Sequence, residues 1–180
     1  MNTTAIRIPE FVNYIGVFLT YKCNFNCPYC INNYNTPTAA KNMLSGAEFI
    51  EGLNRIESRD DLPVSIQGGE PSLHPDFYEI INNIKPSLRI DILTNLQFDV
   101  LEFINKIKPE RLARSAPYSP IRVSFHPLKS NSAELISKTL ILQNNGFKVG
   151  IYGLDLPEFN SQNTEMRNKC MANNIDFRYK

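Results

Sequence analysis

At 180 residues, with 42% hydrophobic and 21% charged side chains, the chain has the make-up of one ordinary globular domain with a sizeable core. Its 19 basic and 18 acidic residues leave a formal net charge of +1, which gives no electrostatic reason to expect nucleic acid or an anionic membrane as the main partner. No apolar run is long enough to span a bilayer and no charged-then-apolar leader is visible, so a cytoplasmic protein is expected.

Residues 1–10 read as a polar, loosely attached lead-in. Residues 14–20, rich in β-branched and aromatic types, are the first strand. Directly after it comes Cys23-Asn24-Phe25-Asn26-Cys27-Pro28-Tyr29-Cys30, which holds three of the four cysteines of the chain. A polar stretch, 32–44, follows. Ser45-Gly46-Ala47-Glu48 is a capping box that opens a helix over 46–59, with Phe49, Ile50, Leu53 and Ile56 at helical spacing. A short strand at 63–67 runs into Gly68-Gly69. Pro75 suits the first position of a second helix, whose apolar face is Phe77, Ile80, Ile81 and Ile84, and Pro86 ends it.

Residues 88–93 are a third strand. Asp99 caps a third helix with Leu101, Ile104 and Ile107 on its inner side. The proline-rich 109–120 reads as an irregular connection, and 121–125 as a fourth strand. Asn131 and Glu134 repeat the capping pattern ahead of a fourth helix that buries Leu135, Ile136, Thr139, Leu140 and Leu142 and stops at Gly146. A fifth strand (147–152), a polar fifth helix (161–173) and a sixth strand (175–179) complete the chain.

This alternation of strand and helix implies parallel strands joined by right-handed crossovers, in an open sheet or a partial barrel, within a single domain over 1–180. In such folds the site gathers at the carboxyl ends of the strands. Cys23, Gly68-Gly69-Glu70, Thr94-Asn95, Ser124 with His126, and Gly153 with Asp155 all fall there. The amino-terminal ends show nothing comparable.

Clustered cysteines in a domain of this size point to metal or redox chemistry rather than a disulfide scaffold. Thiolates suit zinc, copper(I) or an iron–sulfur cluster. A closed zinc site needs four ligands, and the loop offers three with no neighbouring histidine. Cys170, four residues after Met166 on the fifth helix, reads as a buried core thiol. Three thiolates on a [4Fe–4S] cube would leave one iron open to a small molecule.

Cys-x3-Cys-x2-Cys after the first strand, with aromatic Tyr29 before the last cysteine, resembles the signature of the radical S-adenosylmethionine (SAM) enzymes. Gln67-Gly68-Gly69-Glu70-Pro71 resembles that family's second motif. Thr94-Asn95 is similar to a third, weaker feature, although Leu96 stands where the family commonly has glycine. The resemblance spans the chain from the first strand to the sixth. It implies a partial (β/α)6 TIM-like barrel with parallel strands and a [4Fe–4S] cluster on Cys23, Cys27 and Cys30. It further implies reductive cleavage of S-adenosyl-L-methionine to a 5′-deoxyadenosyl radical that takes hydrogen from a peptide, protein or small metabolite.

On that footing Gly68, Gly69 and Glu70 are expected to receive the SAM amino group, Tyr29 to line the adenine pocket, and Asn95 and Ser124 to meet its ribose or carboxylate. Ile151 packs on adenine or belongs to the core. His126 stands where some members carry an acid, His74 reads as structural, and Tyr152, Asp155, Arg178 and Lys180 are substrate-contact candidates. A flavodoxin- or ferredoxin-like electron donor is implied. Ending on its sixth strand, the chain reads as a minimal barrel or a fragment, its open lateral face covered by a partner, a second copy or a missing segment. The competing readings are a non-catalytic iron–sulfur or zinc module and an inactive truncated SAM-binding member.

Overall fold

The computed structural model describes residues 4–30 and 43–180; most of the polar stretch expected over 32–44 lies outside them, as do the first three residues of the lead-in. Six strands form one parallel sheet in the order β2 (Ile15–Phe18), β4 (Val64–Gln67), β5 (Ile90–Thr94), β6 (Ile121–Phe125), β7 (Val149–Gly153) and β8 (Asp176–Tyr179). Helices α1 (Gly46–Asn54), α2 (Phe77–Asn83), α3 (Val100–Lys106), α4 (Ser132–Asn144) and α5 (Asn160–Ala172) fill the crossovers. The expected αβ barrel with parallel strands is therefore present, with β2 and β8 as its edges.

Register divides the sheet into two faces. Val17, Ile66, Ile92, Ile121 and Val149 pair across five strands; all but the half-buried Val17, which packs against it, belong with Ile80, Phe103, Leu135 and Met166 of the helices to one apolar core. Burying a row of this kind contributes about 1.5–3 kcal/mol per large side chain. Ile151 and Cys170 lie in this core, each 0% exposed, as a core residue and a core thiol should.

The other face is polar, because side chains alternate along a strand. There Ser65, Asp91, Leu93, Arg122 and Gly150 adjoin. Asp91, 0% exposed, takes a bidentate pair from Arg114 (2.7 and 2.8 Å) and lies 3.4 Å from Arg122, which donates to Ser65 Oγ at 2.7 Å. Both guanidiniums flank the Tyr118 ring, at 4.5 and 5.3 Å. Arg114 and Tyr118 come from the irregular segment before β6, so the connection expected over 109–120 brings charge onto this polar face.

Several boundaries differ from the sequence expectation. The first helix stops at Asn54 rather than 59, and β3 (Ile56–Glu57) then pairs in parallel with β1 (Ile6–Arg7). Arg55 Nε donates to Thr4 O, and Arg59 donates to the Glu10 and Val12 carbonyls. The lead-in is thus tied down by backbone pairing and two arginines, which a polar composition does not reveal. Pro75 lies before α2, not in it. Asp76 occupies the N-cap, but its carboxylate accepts from Gly46 N at the start of α1 (2.8 Å), linking two helices. His74 is structural as expected, bonded through Nε2 to Leu44 O and accepting from Asp76 N.

On α3 the inner residues are Val100, Phe103 and Ile107, while Leu101 is 60% exposed. The helix turns its i, i+3, i+7 set inward, so Leu101 lies on the outer face rather than the expected inner one. Leu96, at the glycine position of the resemblance, takes φ 59° and is 0% exposed. A left-handed backbone costs an ordinary residue about 1–2 kcal/mol, but burial of a leucine outweighs it. Leu96→Gly is accordingly expected to relieve the strain and still lower stability by about 1–3 kcal/mol net, the cavity term dominating, as read by urea unfolding.

Candidate functional site

The carboxyl ends of the strands converge on one cavity of about 250 Å³. Cys23, Cys27 and Cys30 line it, with Gly68, Gly69, Asn95, Ser124, His126 and Lys180. Five elements therefore bring the sequence candidates together: the loop after β2, the turn after β4, the end of β5, strand β6, and the residue after β8. All four cysteines are free thiols.

The thiol loop is seated by the glycine turn. Gly69 N donates to Thr20 O and Glu70 N to Lys22 O, both at 2.8 Å, extending the β2–β4 ladder past the strand ends. A Cβ on Gly68 would stand 2.3 Å from Thr20 O, and one on Gly69 would stand 2.2 Å from Lys22 O. The glycines are thus required first by the chain's own backbone. They line the cavity as well.

Glu70 is placed differently from Gly68 and Gly69. It is 1% exposed and does not line the cavity. Its carboxylate accepts from Thr94 Oγ1 (2.8 Å), Asn95 N (2.7 Å), Ser72 Oγ (2.8 Å) and Ser72 N (3.3 Å). Burial pushes the carboxyl up, and the donors pull the other way. The group that the sequence directs at an amino group clamps the end of β5 to the glycine turn.

Asn95, held by that clamp, donates through Nδ2 to Asn24 Oδ1 (2.7 Å) and approaches Cys23 Sγ at 3.8 Å. Phe25 N donates to the same sulfur at 3.3 Å. Burial pushes the Cys23 and Cys27 thiols up, so loading them as thiolates releases protons. The thiols ring the cavity: among the described residues no three His, Cys, Asp or Glu side chains converge on one point fit for a single metal ion.

Tyr29 packs against the cavity-lining His126 without lining the cavity itself. Its ring stacks on His126 (centroids 6.0 Å apart, 15° between planes) and meets the edge of Phe159 at 5.5 Å. Ser124, on β6, accepts a hydrogen bond from Lys180 Nζ. Burial, with the nearby Arg122 charge, lowers Lys180 to about 8. Lys180 carries a cation into the cavity, and the sequence offered only its place at the rim. Of two other rim candidates, Arg178 pairs with Asp176 and donates to Pro117 O, while the Tyr152 hydroxyl is buried without a hydrogen-bond partner, in a hollow it lines with Ser124 and Lys180.

The donor set fits an iron–sulfur cluster with one site left open. It offers three thiols around a cavity, N–H donors near the Cys23 sulfur, and a backbone cradle whose space a Cβ would fill. Cys170 lines none of it and is pushed up to about 12 by burial. Cys170→Ala should leave iron loading unchanged while lowering stability by about 1–2 kcal/mol, checked by iron content and thermal melting; loss of iron would sink the three-ligand account.

Comparison with known proteins gives a consistent result. Residues 17–140 match the family model described as Radical SAM superfamily. The chain is 29% identical over 137 residues to GTP 3′,8-cyclase of Nautilia profundicola, covering 73% of this chain and 40% of that protein. It is 35% identical over 124 residues to probable GTP 3′,8-cyclase of Thermococcus kodakarensis (68% and 38%). It is 30% identical over 147 residues to molybdenum cofactor biosynthesis protein 1 of Drosophila melanogaster (79% and 24%). The chain thus spans about 40% or less of the length of these relatives. In fold it is similar to Streptococcus suis SuiB bound to precursor peptide SuiA, with a TM-score of 0.68 at 19% identity over 98% of this chain and 39% of that one. With the family model matched over most of its length, the chain belongs to the radical SAM superfamily, a family of enzymes that use a [4Fe–4S] cluster and S-adenosylmethionine.

Proposed function

We propose that Cys23, Cys27 and Cys30 hold a [4Fe–4S] cluster whose open iron takes S-adenosylmethionine. The observation that carries this is the shared cavity: three thiols face a glycine turn that is built on the same loop. Bound there, such a cluster would supply the electron for reductive cleavage of S-adenosylmethionine to a 5′-deoxyadenosyl radical able to take hydrogen from a substrate.

The chain's own residues would bind and orient. The backbone at Gly68 and Gly69 cradles the amino group, with Glu70 acting behind it to fix Thr94 and Asn95. Ser124 and Lys180 offer a hydroxyl and an ammonium to a carboxylate or a ribose. Tyr29, stacked on the cavity-lining His126, would line the adenine pocket from that side. A small metabolite is the favoured substrate class, because the matched curated relatives are named for cyclising GTP. The likeness to the peptide-bound enzyme is one of fold.

Two wider expectations belong to the same reading. Tyr14, Phe18 and Tyr21 are exposed along the β2 edge and Tyr179 along β8, so the open side of the barrel is a surface for further chain, a partner or a second copy. No described helix is long and apolar enough to cross a membrane, which suits a cytoplasmic site of action served by a flavodoxin- or ferredoxin-like donor.

The test is anaerobic reconstitution with iron and sulfide, followed by dithionite and S-adenosylmethionine. 5′-Deoxyadenosine is expected from the native chain. Cys27→Ala should lose both the brown colour and the product. A well-formed cluster that yields no 5′-deoxyadenosine refutes the enzyme reading and leaves the non-catalytic module; stoichiometric zinc in a colourless protein refutes the cluster.

A further inference from the structure

A second hollow, of about 110 Å³, adjoins the thiol cavity on the polar face of the sheet. Leu93, Arg122, Ser124, Tyr152, Tyr179 and Lys180 line it, and Leu93, Ser124 and Lys180 line the thiol cavity as well. The register explains the grouping. Ser124 stands opposite Tyr152, and Tyr152 opposite Arg178, across β6, β7 and β8. Arg122 shares the face of Ser124 and lies nearer the amino end of β6. The hollow thus extends the cavity from the rim into the barrel.

The donors of this hollow outnumber its acceptors. The Tyr152 hydroxyl and Arg122 Nε are both buried and lack a hydrogen-bond partner. Arg122 Nη2 donates to Ser65 Oγ and lies 3.4 Å from Asp91 Oδ2, which leaves Nε unanswered. Asp91 is already met by the bidentate Arg114, and Asp176 by Arg178. Lys180 Nζ donates to the uncharged Ser124 Oγ and pairs with no carboxylate among the described residues. Cationic charge on this face therefore exceeds its carboxylates, and the excess sits at the hollow. A buried donor without a partner is costly to keep. Phenylalanine at position 152 would fill the same space without that cost. One oxyanion satisfies a hydroxyl, a guanidinium N–H and an ammonium together, through charge-assisted hydrogen bonds.

We infer that the hollow is an oxyanion subsite, which holds a carboxylate or phosphate group of the substrate beside the thiol cavity. Tyr152 Oη, Arg122 Nε and Lys180 Nζ are its donors. The room suits one such group and not a whole metabolite, so the remainder of the substrate extends toward the thiols. The inference rests on the function proposed above and deepens it by naming the substrate as an anion.

The experiment is calorimetric titration of the anaerobically reconstituted chain with inorganic phosphate and with acetate. Sodium chloride holds the ionic strength constant, and iron content is measured in parallel. Saturable binding is expected, and the preferred anion identifies the substrate group. Tyr152→Phe keeps the ring and removes one donor. It should weaken binding roughly tenfold or more, while its melting temperature without added oxyanion is not lowered. Arg122→Gln should weaken binding further; should it fail to fold, Tyr152→Phe decides. Binding should persist with S-adenosylmethionine present, because a hollow filled by that molecule's own carboxylate would lose it. Absence of saturable binding, native affinity in Tyr152→Phe, or displacement by S-adenosylmethionine overturns the subsite and leaves the cluster proposal standing. A native chain that binds the anion yet yields no 5′-deoxyadenosine supports the anion site and overturns the enzyme reading on which its substrate role rests.

Discussion

Gly69→Ala is expected to lose most of its iron–sulfur loading and several kcal/mol of stability, although the substitution adds one methyl group and removes no ligand. The added Cβ would lie 2.2 Å from Lys22 O, 2.6 Å from Lys22 C and 2.7 Å from Tyr21 O. These are backbone atoms, so no side chain can rotate out of the way. Relief requires the thiol loop to lift from the turn, breaking Gly69 N to Thr20 O and Glu70 N to Lys22 O. Two backbone bonds at about 1 kcal/mol each and overpacking strain of about 1–3 kcal/mol give a loss of about 3–5 kcal/mol. Lifting Lys22 also carries Cys23 away from Cys27, Cys30 and the Asn95 amide.

The measurement is iron and sulfide content after anaerobic reconstitution, with urea unfolding of the unloaded protein. Gly52→Ala is the control. A Cβ there meets nothing within 4 Å on helix α1, and it should stabilise by about 0.5–1 kcal/mol without touching the metal site. Full loading and native stability in Gly69→Ala would show that the turn does not seat the loop.

What the sequence could and could not reveal follows from the range of each interaction. Periodicity and capping are local signals, and they located the five α-helices and six main-sheet strands of the described residues, though not the short 3-10 turns. Ser45 and Glu48 form the reciprocal capping box that their spacing announces. Asp99 and Asn131 cap as their positions suggest. Thiol spacing is equally local, and it brought Cys23, Cys27 and Cys30 to one rim. Side-chain direction is not local. Nothing around Glu70 says that its acceptor capacity is filled by Ser72, Thr94 and Asn95, because two of those partners lie more than 20 residues away. The same holds for Tyr29, whose neighbours His126 and Phe159 both come from the C-terminal half, the nearer of them 97 residues away. The β1–β3 pair was missed because strands of two residues carry no period. Leu96 could not be read as left-handed, since a side chain beyond glycine, asparagine or aspartate argues against that region.

The polar face of the barrel was invisible for a related reason, and it should carry the largest single contribution to stability that the sequence hides. Asp91→Asn is expected to cost about 3–5 kcal/mol, the scale for removing one partner of a buried ion pair. Arg114 loses the acceptor for one of its two bonds and the charge that compensates it; its side chain is 4% exposed. Arg122, 19% exposed at its side chain, loses the carboxylate 3.4 Å away and keeps only Ser65. Two guanidiniums around Tyr118 would then repel each other on the polar face of the sheet. Removing both members of the main pair is a different matter. In Asp91→Leu/Arg114→Met the desolvation cost of each ion vanishes with it, so the double variant should be more stable than either single one. A double-mutant cycle by urea unfolding would read a coupling of about 0.5–3 kcal/mol. A loss under about 1 kcal/mol in Asp91→Asn would mean that water reaches the pair and the polar face is wet. A large loss would mean that the face is dry and that Arg122 is held away from Ser124 and Lys180 by Asp91. In that case the same variant, kept folded at low temperature, should free the Arg122 guanidinium toward the cavity and weaken S-adenosylmethionine cleavage without lowering iron content.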